Sequence, residues 1–201
     1  MRHAHRIALS ILAVLALTLP SIAHAGKGYG TQFWAATTYV APLSERSADG
    51  VSNALKASSE MGYQFGVEFR SGFLGVALDY LHATPKFKSS TTGTLGTADF
   101  NPISATLQLH LPLPLLDLYA GPTVSYVNWG DLEVSGTSVK SKVDAKLGYG
   151  FSVGADLPLG HTLALTSGAR WLKLDAKANA ATLGTVAVDP LITHLGIALR
   201  F

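Results

Sequence analysis

Residues 61–70 read MGYQFGVEFR, and this stretch decides the fold. Its large apolar side chains occupy every second position, while glycine, glutamine or charged residues occupy the positions between them. A period of two is typical of a β-strand with one apolar and one polar face. A tight-turn signal, Ser71-Gly72, follows at once, and residues 74–80 resume the alternation. This part of the chain is therefore a predicted β-hairpin.

The same alternation recurs along the rest of the chain. We predict further strands at residues 31–41, where the phase is ambiguous, and at residues 103–111, 118–127, 146–156, 163–171 and 191–201. Together with the two strands of the hairpin these six segments make eight strands, each long enough for a tilted membrane crossing of about 9–11 residues.

The connections between these strands alternate in length. Short turns are predicted near residues 71–72, 112–117 and 158–160, and long polar loops at residues 42–60, 84–99, 128–144 and 175–189. Short periplasmic turns with longer external loops are typical of outer-membrane barrels. A β-sandwich also alternates its faces, but it does not require this alternation of loop lengths. The predicted fold is therefore an all-β, eight-stranded antiparallel transmembrane β-barrel.

Composition excludes several other classes of protein. Hydrophobic residues make up 48% of the 201 residues and charged residues only 14%, which is too apolar for a disordered chain. There is no cysteine, so disulfides, thiol nucleophiles and cysteine-based metal sites are excluded. No basic run is present that would bind nucleic acid.

The first 25 residues have the layout of a cleavable signal peptide. Arg2 and Arg6 form a positive segment, residues 7–19 an apolar core, and Ala23-His24-Ala25 a small-residue cleavage site. An N-terminal anchor helix is the alternative interpretation. We therefore predict a signal peptide at residues 1–25 and a barrel domain at residues 26–201, located in the outer membrane of a Gram-negative bacterium.

The surrounding lipid determines which face of each strand points outward and which points into the barrel. The apolar face must contact lipid, so small and charged residues point into the lumen. The lumen of an eight-stranded barrel is just wide enough for side chains or one small ligand. Both signs of charge occur there, and ion pairs are expected inside the barrel. The predicted lumen charges are Glu68, Arg70, Asp79, Lys146, Asp156, Arg170 and Arg200.

Three leucines share the inward phase near the external ends of their strands. Leu81 follows Asp79, and Leu172 and Leu174 follow Arg170. They predict an apolar ligand-binding lumen beneath the loops. Plain packing that plugs the barrel, or a bulge that shifts the phase, is the alternative.

No catalytic, cofactor or metal site is predicted. The histidines of the barrel domain, His82, His110, His161 and His194, form no recognisable pair with a nucleophile and an acid, and they are too scattered to bind a metal. Tyrosines and tryptophans near strand ends suit the aromatic girdles of a membrane barrel, with stacking on a ligand as the alternative. These are Trp34, Tyr80, Tyr126, Trp129 and Trp171.

The C-terminus carries a pattern of its own. His194, Gly196, Leu199 and the terminal Phe201 resemble the polar-x-Gly-x-x-apolar-x-aromatic ends of outer-membrane barrels. This resemblance implies recognition by the barrel-assembly machinery during biogenesis.

Six short motifs occur in order between Tyr63 and Phe201. They are HATPKF from His82, Asn101-Pro102, LYAGP from Leu118, GYGxxxGAD from Gly148, WLKLD from Trp171, and Asp189-Pro190 leading to Arg200-Phe201. Together they resemble the OmpW family of small outer-membrane barrels. The resemblance implies a narrow, partly apolar interior that passes or binds small hydrophobic molecules. Arg170 departs from the family, which often has an aromatic residue at this position.

The expected function is thus a narrow channel or binding barrel for small hydrophobic solutes, with outer-membrane lipid as its surroundings. A structural or adhesive barrel that displays its loops is the first alternative. A lipid-A-modifying enzyme is a second, which the missing catalytic pattern disfavours.

Overall fold

The computed structural model describes residues 29–42, 55–89, 93–130, 132–134, 140–141, 146–177, 185–187 and 189–201. The predicted signal peptide lies outside these residues. Within them no helix is long and apolar enough to cross a membrane. Eight long strands dominate the structure: β1 Tyr29–Pro42, β2 Glu60–Ser71, β3 Leu74–Ala83, β4 Phe100–Pro112, β5 Asp117–Trp129, β6 Lys146–Pro158, β7 Leu163–Lys173 and β8 Pro190–Arg200.

These strands form one closed antiparallel barrel in chain order. Strand β1 closes it by pairing with both β2 and β8, in a register that sets Gln32 opposite Glu68 on one side and Arg200 on the other. The backbone of Phe201 continues this closure, because its N–H and C=O both bond to Thr31. The predicted eight-stranded barrel is confirmed, and the first strand is paired along its whole length.

The long connections contain strands that the sequence did not predict. Segments expected to be polar loops form short pieces of sheet at one end of the barrel, which we call the loop end; the opposite end is the turn end. The short strands are Leu55–Ala57, Lys86–Ser89, Gly93–Thr97, Leu132–Val134, Lys140–Ser141, Asp175–Lys177 and Thr185–Ala187. Their short, polar sequences lack the sustained alternation on which the prediction of the long strands rested.

Burial follows the period of two along each strand. On β4, Leu107 and Leu109 are 51% and 63% exposed, while Gln108 and His110 between and after them are buried. The exposed belt of aliphatic and aromatic side chains is what a lipid-facing surface requires, because hydrocarbon offers polar groups no partners.

The lipid-facing belt gives a direct prediction. Leu107→Arg is expected to lower the free energy of unfolding by about 2–4 kcal/mol, since a cation near the bilayer midplane is poorly solvated. Urea titration of the protein refolded in phospholipid vesicles measures the change. Leu115→Arg is the matched control, because Leu115 is 77% exposed in the short turn after β4. Equal effects of the two variants would contradict the assignment of the outer face.

The ladder of paired residues is interrupted on both sides of β4, each time next to a proline. Between β3 and β4 the register passes from Tyr80 opposite Ile103 directly to Ala83 opposite Phe100. Pro102 lies at this interruption and has no N–H to donate to a neighbouring strand. A second interruption between β4 and β5 lies next to Pro122, in the middle of the barrel wall.

Candidate functional site in the barrel lumen

A network of charges fills the lumen near the turn end. Arg70 on β2 forms an ion pair with Asp117 at the start of β5. The ring of His110 lies between two carboxylates, with Nε2 3.0 Å from Glu68 and Nδ1 3.3 Å from Asp117. Two acidic and two basic side chains from three strands, β2, β4 and β5, are therefore joined in the lumen.

A second ionic group lies beside this network. Arg200 on β8 donates to Asp156 at 2.9 Å and to the side-chain oxygen of Gln32 at 2.7 Å. Gln32 in turn donates to Asp156 at 3.0 Å. A cavity of about 130 Å³ is lined by Gln32 and Arg200 of this group and by Glu68 and Arg70 of the first. The lumen at the turn end is thus polar and charged, with a cavity large enough for water.

The middle of the lumen is closed by one buried ion pair. Arg170 on β7 donates to both carboxylate oxygens of Asp79 on β3, at 2.8 and 2.6 Å. Gln64 donates to the same carboxylate at 2.7 Å, and Arg170 also reaches Ser104 and Ser152. The side chains of Arg170 and Asp79 are 7% and 0% exposed. Arg170, which stands where the resembled family often has an aromatic residue, is therefore paired within the lumen.

Inward-facing glycines make room for aromatic rings. The ring of Tyr119 lies against Gly154, where no Cβ would fit, and close to Gly168. Trp34 covers Gly66 and stacks on His194, with ring centroids 5.4 Å apart. Glycine is needed here because a ring crossing the lumen takes the space that a neighbouring side chain would occupy.

The prediction that all strand-end aromatics form girdles was wrong for two residues. Trp34 lines the lumen, and Trp129 is 7% exposed on an inward position of β5. The phase of β1 was ambiguous in the sequence, and β5 extends beyond the predicted end at residue 127, which places Trp129 on the strand's inward face. Tyr126 and Trp171 lie on the outer face, as expected.

The loop end of the lumen is apolar. Leu81, Leu172 and Leu174 are at most 1% exposed and belong to one cluster. The sequence predicts only these three members, because the others lie at or beyond strand ends or on the strand of ambiguous phase. The other members are Val40, Ala83, Ala98, Phe100, Val127, Trp129 and Ile192.

The change from polar to apolar is sharp. On β1, β3, β4, β5, β7 and β8, a step of two positions toward the loop end replaces an inward polar residue with an apolar one. The pairs are Thr38 and Val40, Asp79 and Leu81, Ser104 and Pro102, Ser125 and Val127, Arg170 and Leu172, and His194 and Ile192. On these six strands the lumen therefore changes from polar to apolar near the Arg170–Asp79 pair, while on β6 the inward Lys146 lies at the loop end.

The remaining predicted residues occupy the positions that their phase requires. Lys146 is half-buried at the inward, loop-end start of β6. At the C-terminus, Gly196 lies against the backbone of β1 and Phe201 makes an edge contact with Phe33 at 6.1 Å. A role of His194, Gly196, Leu199 and Phe201 as an assembly signal stays a prediction.

The outer face holds the arrangement that comes nearest to a hydrolase site. The Thr84 hydroxyl donates to Asp99 at 3.0 Å, while the ring of His82 bonds to Asn101 at 2.7 Å. The histidine and the hydroxyl are thus each joined to another residue, and the structure does not pair them as a base and nucleophile would be paired.

A closed eight-stranded barrel with an apolar outside, a polar lumen and short turns at one end is the architecture of small outer-membrane barrels. No protein-family model and no curated protein sequence matches the chain. Solved structures do match it, at sequence identities that establish a likeness of fold.

Three of these structures illustrate the likeness of fold. The outer membrane protein OprG from Pseudomonas aeruginosa is 17% identical, with 88% of this chain and 98% of that chain covered and a TM-score of 0.73. The outer membrane protein AlkL is 20% identical, with 92% and 95% covered and a TM-score of 0.60. The E. coli outer membrane protein W is 17% identical, with 86% and 98% covered and a TM-score of 0.56. The fold expected from the family resemblance is therefore confirmed.

Proposed function

We propose that this protein is an outer-membrane barrel of a Gram-negative bacterium that takes up small hydrophobic molecules at its loop end and releases them sideways into the bilayer. The observation that carries this proposal is the sharp division of the lumen at the Arg170–Asp79 pair. Above the pair, the buried side chains are apolar and suit a hydrocarbon solute.

The charged half of the lumen argues against passage straight through the barrel. A hydrocarbon moving toward the turn end would have to displace Arg170 from Asp79, and then the groups that join Arg70, Asp117 and His110. Breaking such buried pairs leaves charges without partners, at a cost of several kcal/mol each. An apolar solute cannot compensate for that cost.

The wall of the apolar half offers a shorter route. The register interruption between β3 and β4, here called the seam, is flanked on the inside by Leu81 and Ala83 of β3 and by Phe100 and Pro102 of β4, all of them buried. Fewer backbone bonds join β3 to β4 at the seam than along the rest of this strand pair. A solute in the apolar cluster is therefore separated from lipid by a part of the wall where backbone pairing is interrupted.

A disulfide across the seam tests the lateral route. The chain has no cysteine, so His82→Cys combined with Asn101→Cys introduces the only thiols, at opposed positions of the interruption. We expect the oxidised variant to lose uptake of radiolabelled decane by intact cells, down to the level of cells lacking the protein. Reduction with a membrane-permeant thiol reagent should restore uptake.

The control is a disulfide across an uninterrupted part of the wall. Leu165 and Ile197 are paired on the outer faces of β7 and β8, and the corresponding double cysteine variant should take up decane in both redox states. Uninterrupted uptake by the oxidised seam variant would overturn the lateral route.

One observation favours the alternative of a structural or adhesive barrel. The apolar cluster is closed, with Leu81 and Leu172 each 0% exposed, so passage requires side chains to move. If wild-type cells take up no more decane than cells lacking the protein, the barrel is a plugged scaffold for its loops. A steady ion current in planar bilayers would instead indicate an open pore, against both proposals.

We also propose that the C-terminal residues bind the barrel-assembly machinery. Phe201 is 71% exposed, and its side chain contributes little to the closure made by its backbone. Phe201→Ala is therefore expected to refold in detergent with the yield of the wild type, while its level in the outer membrane of cells falls several-fold. An equal loss in both experiments would indicate a purely structural role.

A further inference from the structure

Three polar side chains meet on the lipid-facing side of the seam. The Tyr80 hydroxyl donates to Oδ1 of Asn101 at 3.0 Å, and Nδ1 of His82 lies 2.7 Å from the same oxygen. His82 and Asn101 occupy the positions where the backbone register between β3 and β4 is interrupted. Side chains thus join the two strands where the backbone does not.

These hydrogen bonds determine which donors and acceptors of His82 and Asn101 remain available to another molecule. Oδ1 of Asn101 can only accept, so Nδ1 of His82 carries the hydrogen and Nε2 is left as an acceptor. The amide NH₂ of Asn101 keeps its two donors. An acceptor and a donor therefore lie side by side at the outer mouth of the seam, on residues that are half-buried.

Aromatic rings hold this group in place. The ring of Tyr63 on β2 packs on His82 with centroids 5.1 Å apart, and Phe65 packs on Tyr80 at 5.2 Å. Tyr63 and Phe65 lie on β2, which pairs with the edge of β3 opposite to the seam. The β3 half of the group is therefore supported independently of β4, while Asn101 is carried by β4 itself.

We propose that Tyr80, His82 and Asn101 form a clasp that closes the seam and selects the solutes leaving through it, in favour of apolar molecules with one hydrogen-bonding head, such as fatty alcohols. This inference rests on the lateral route proposed above and adds the class of solute. Tyr80 and His82 act as specificity-determining residues of β3, and Asn101 as their partner on β4.

The physical reason is the cost of parting the clasp in an apolar environment. Separating β3 from β4 leaves the Tyr80 hydroxyl, the His82 N–H and the Asn101 amide without partners, and a hydrocarbon supplies none. An alcohol hydroxyl can accept from Nδ1–H of His82 or donate to Oδ1 of Asn101, so it replaces part of what is lost. One replaced hydrogen bond to a desolvated group corresponds to a preference of about tenfold.

Comparing the uptake of two probes of equal chain length tests the clasp. Intact cells producing the wild type are expected to take up radiolabelled 1-decanol about tenfold better than decane, after subtraction of uptake by cells lacking the protein. Asn101→Leu should abolish this preference by raising decane uptake, and His82→Leu, a second variant on the other strand, should do the same. Thr193→Leu, a change on the outer face of β8, is the control.

The outcomes separate the clasp from the route on which it rests. If the disulfide at the seam blocks uptake but Asn101→Leu and His82→Leu keep the wild-type ratio of decanol to decane, the clasp is rejected and the lateral route stands. If the disulfide has no effect, the route itself fails and the clasp fails with it. Heat-modifiable mobility on gels confirms that each variant is a folded barrel before its uptake is measured.

Discussion

Arg170→Met is expected to destabilise the barrel by about 3–5 kcal/mol, which is the usual cost of removing one partner from a buried ion pair. The Asp79 carboxylate would remain with 0% side-chain exposure and with Gln64 as its remaining hydrogen-bond donor. Ser104 and Ser152 would each lose the guanidinium that donates to them. The free energy of unfolding in urea, measured in phospholipid vesicles, gives the magnitude.

Two companion variants show whether the cause is the unpaired charge. Combining Arg170→Met with Asp79→Leu removes both charges and should recover most of the lost stability, since apolar replacements of buried pairs are often near neutral. Lys173→Met lies on the exposed face of the same strand and should change stability by less than about 0.5 kcal/mol. A double variant as unstable as Arg170→Met would show that packing, rather than charge, holds the middle of the lumen.

Tyr119→Ala is expected to cost about 3–5 kcal/mol, as large-to-small replacements of buried aromatic residues do. The Tyr119 ring is 8% exposed, lies against Gly154 and Gly168, and brings its hydroxyl 3.3 Å from the ring of His194. Because glycines have no side chain to fill the vacated space, the lumen cannot collapse around the gap. Unfolding in urea again gives the measurement.

The matched control for this prediction is on the same strand. Tyr126→Ala removes an equal ring from the outer face of β5, where the side chain is 40% exposed. Lipid can fill that space, so we expect the smaller effect there. If the two tyrosine variants were equally unstable, the pairing of lumen rings with glycines would contribute nothing specific to the fold.

The division of the lumen connects these predictions about stability with the proposed function. The Arg170–Asp79 pair both stabilises the barrel and separates the charged half from the apolar half. A protein that only needed a rigid scaffold could fill its whole lumen with ion pairs and small polar residues. The apolar half, set beside the seam between β3 and β4, is the feature that supports a role with hydrophobic solutes.

Much of the barrel could be predicted from the sequence because the two faces of each strand meet different surroundings, which gives the sequence a period of two. Lipid on one side and the lumen on the other decide the direction of each side chain, so Glu68, Asp79, Arg170 and Leu81 could be placed without a structure. The predictions failed where this rule does not apply. Trp34 lies on a strand whose alternation was ambiguous, and Trp129 lies beyond the predicted end of its strand.

Contacts across the barrel could not be read from the chain. Arg170 and Asp79 are 91 positions apart, and Tyr80 and Asn101 are 21 apart. Several carboxylates share the lumen with Arg170, and alternation alone does not choose among them. The choice depends on the order and relative stagger of the strands, which set the height of each residue inside the barrel.

The sequence by itself therefore determined the class of fold, the number of long strands and the faces of most inward residues, because hydrophobic alternation is a local property. Only the tertiary structure decided the partners of the lumen charges, the extent of the apolar cluster and the position of the seam. These depend on strand register, and closure of the barrel determines the register of all eight strands together.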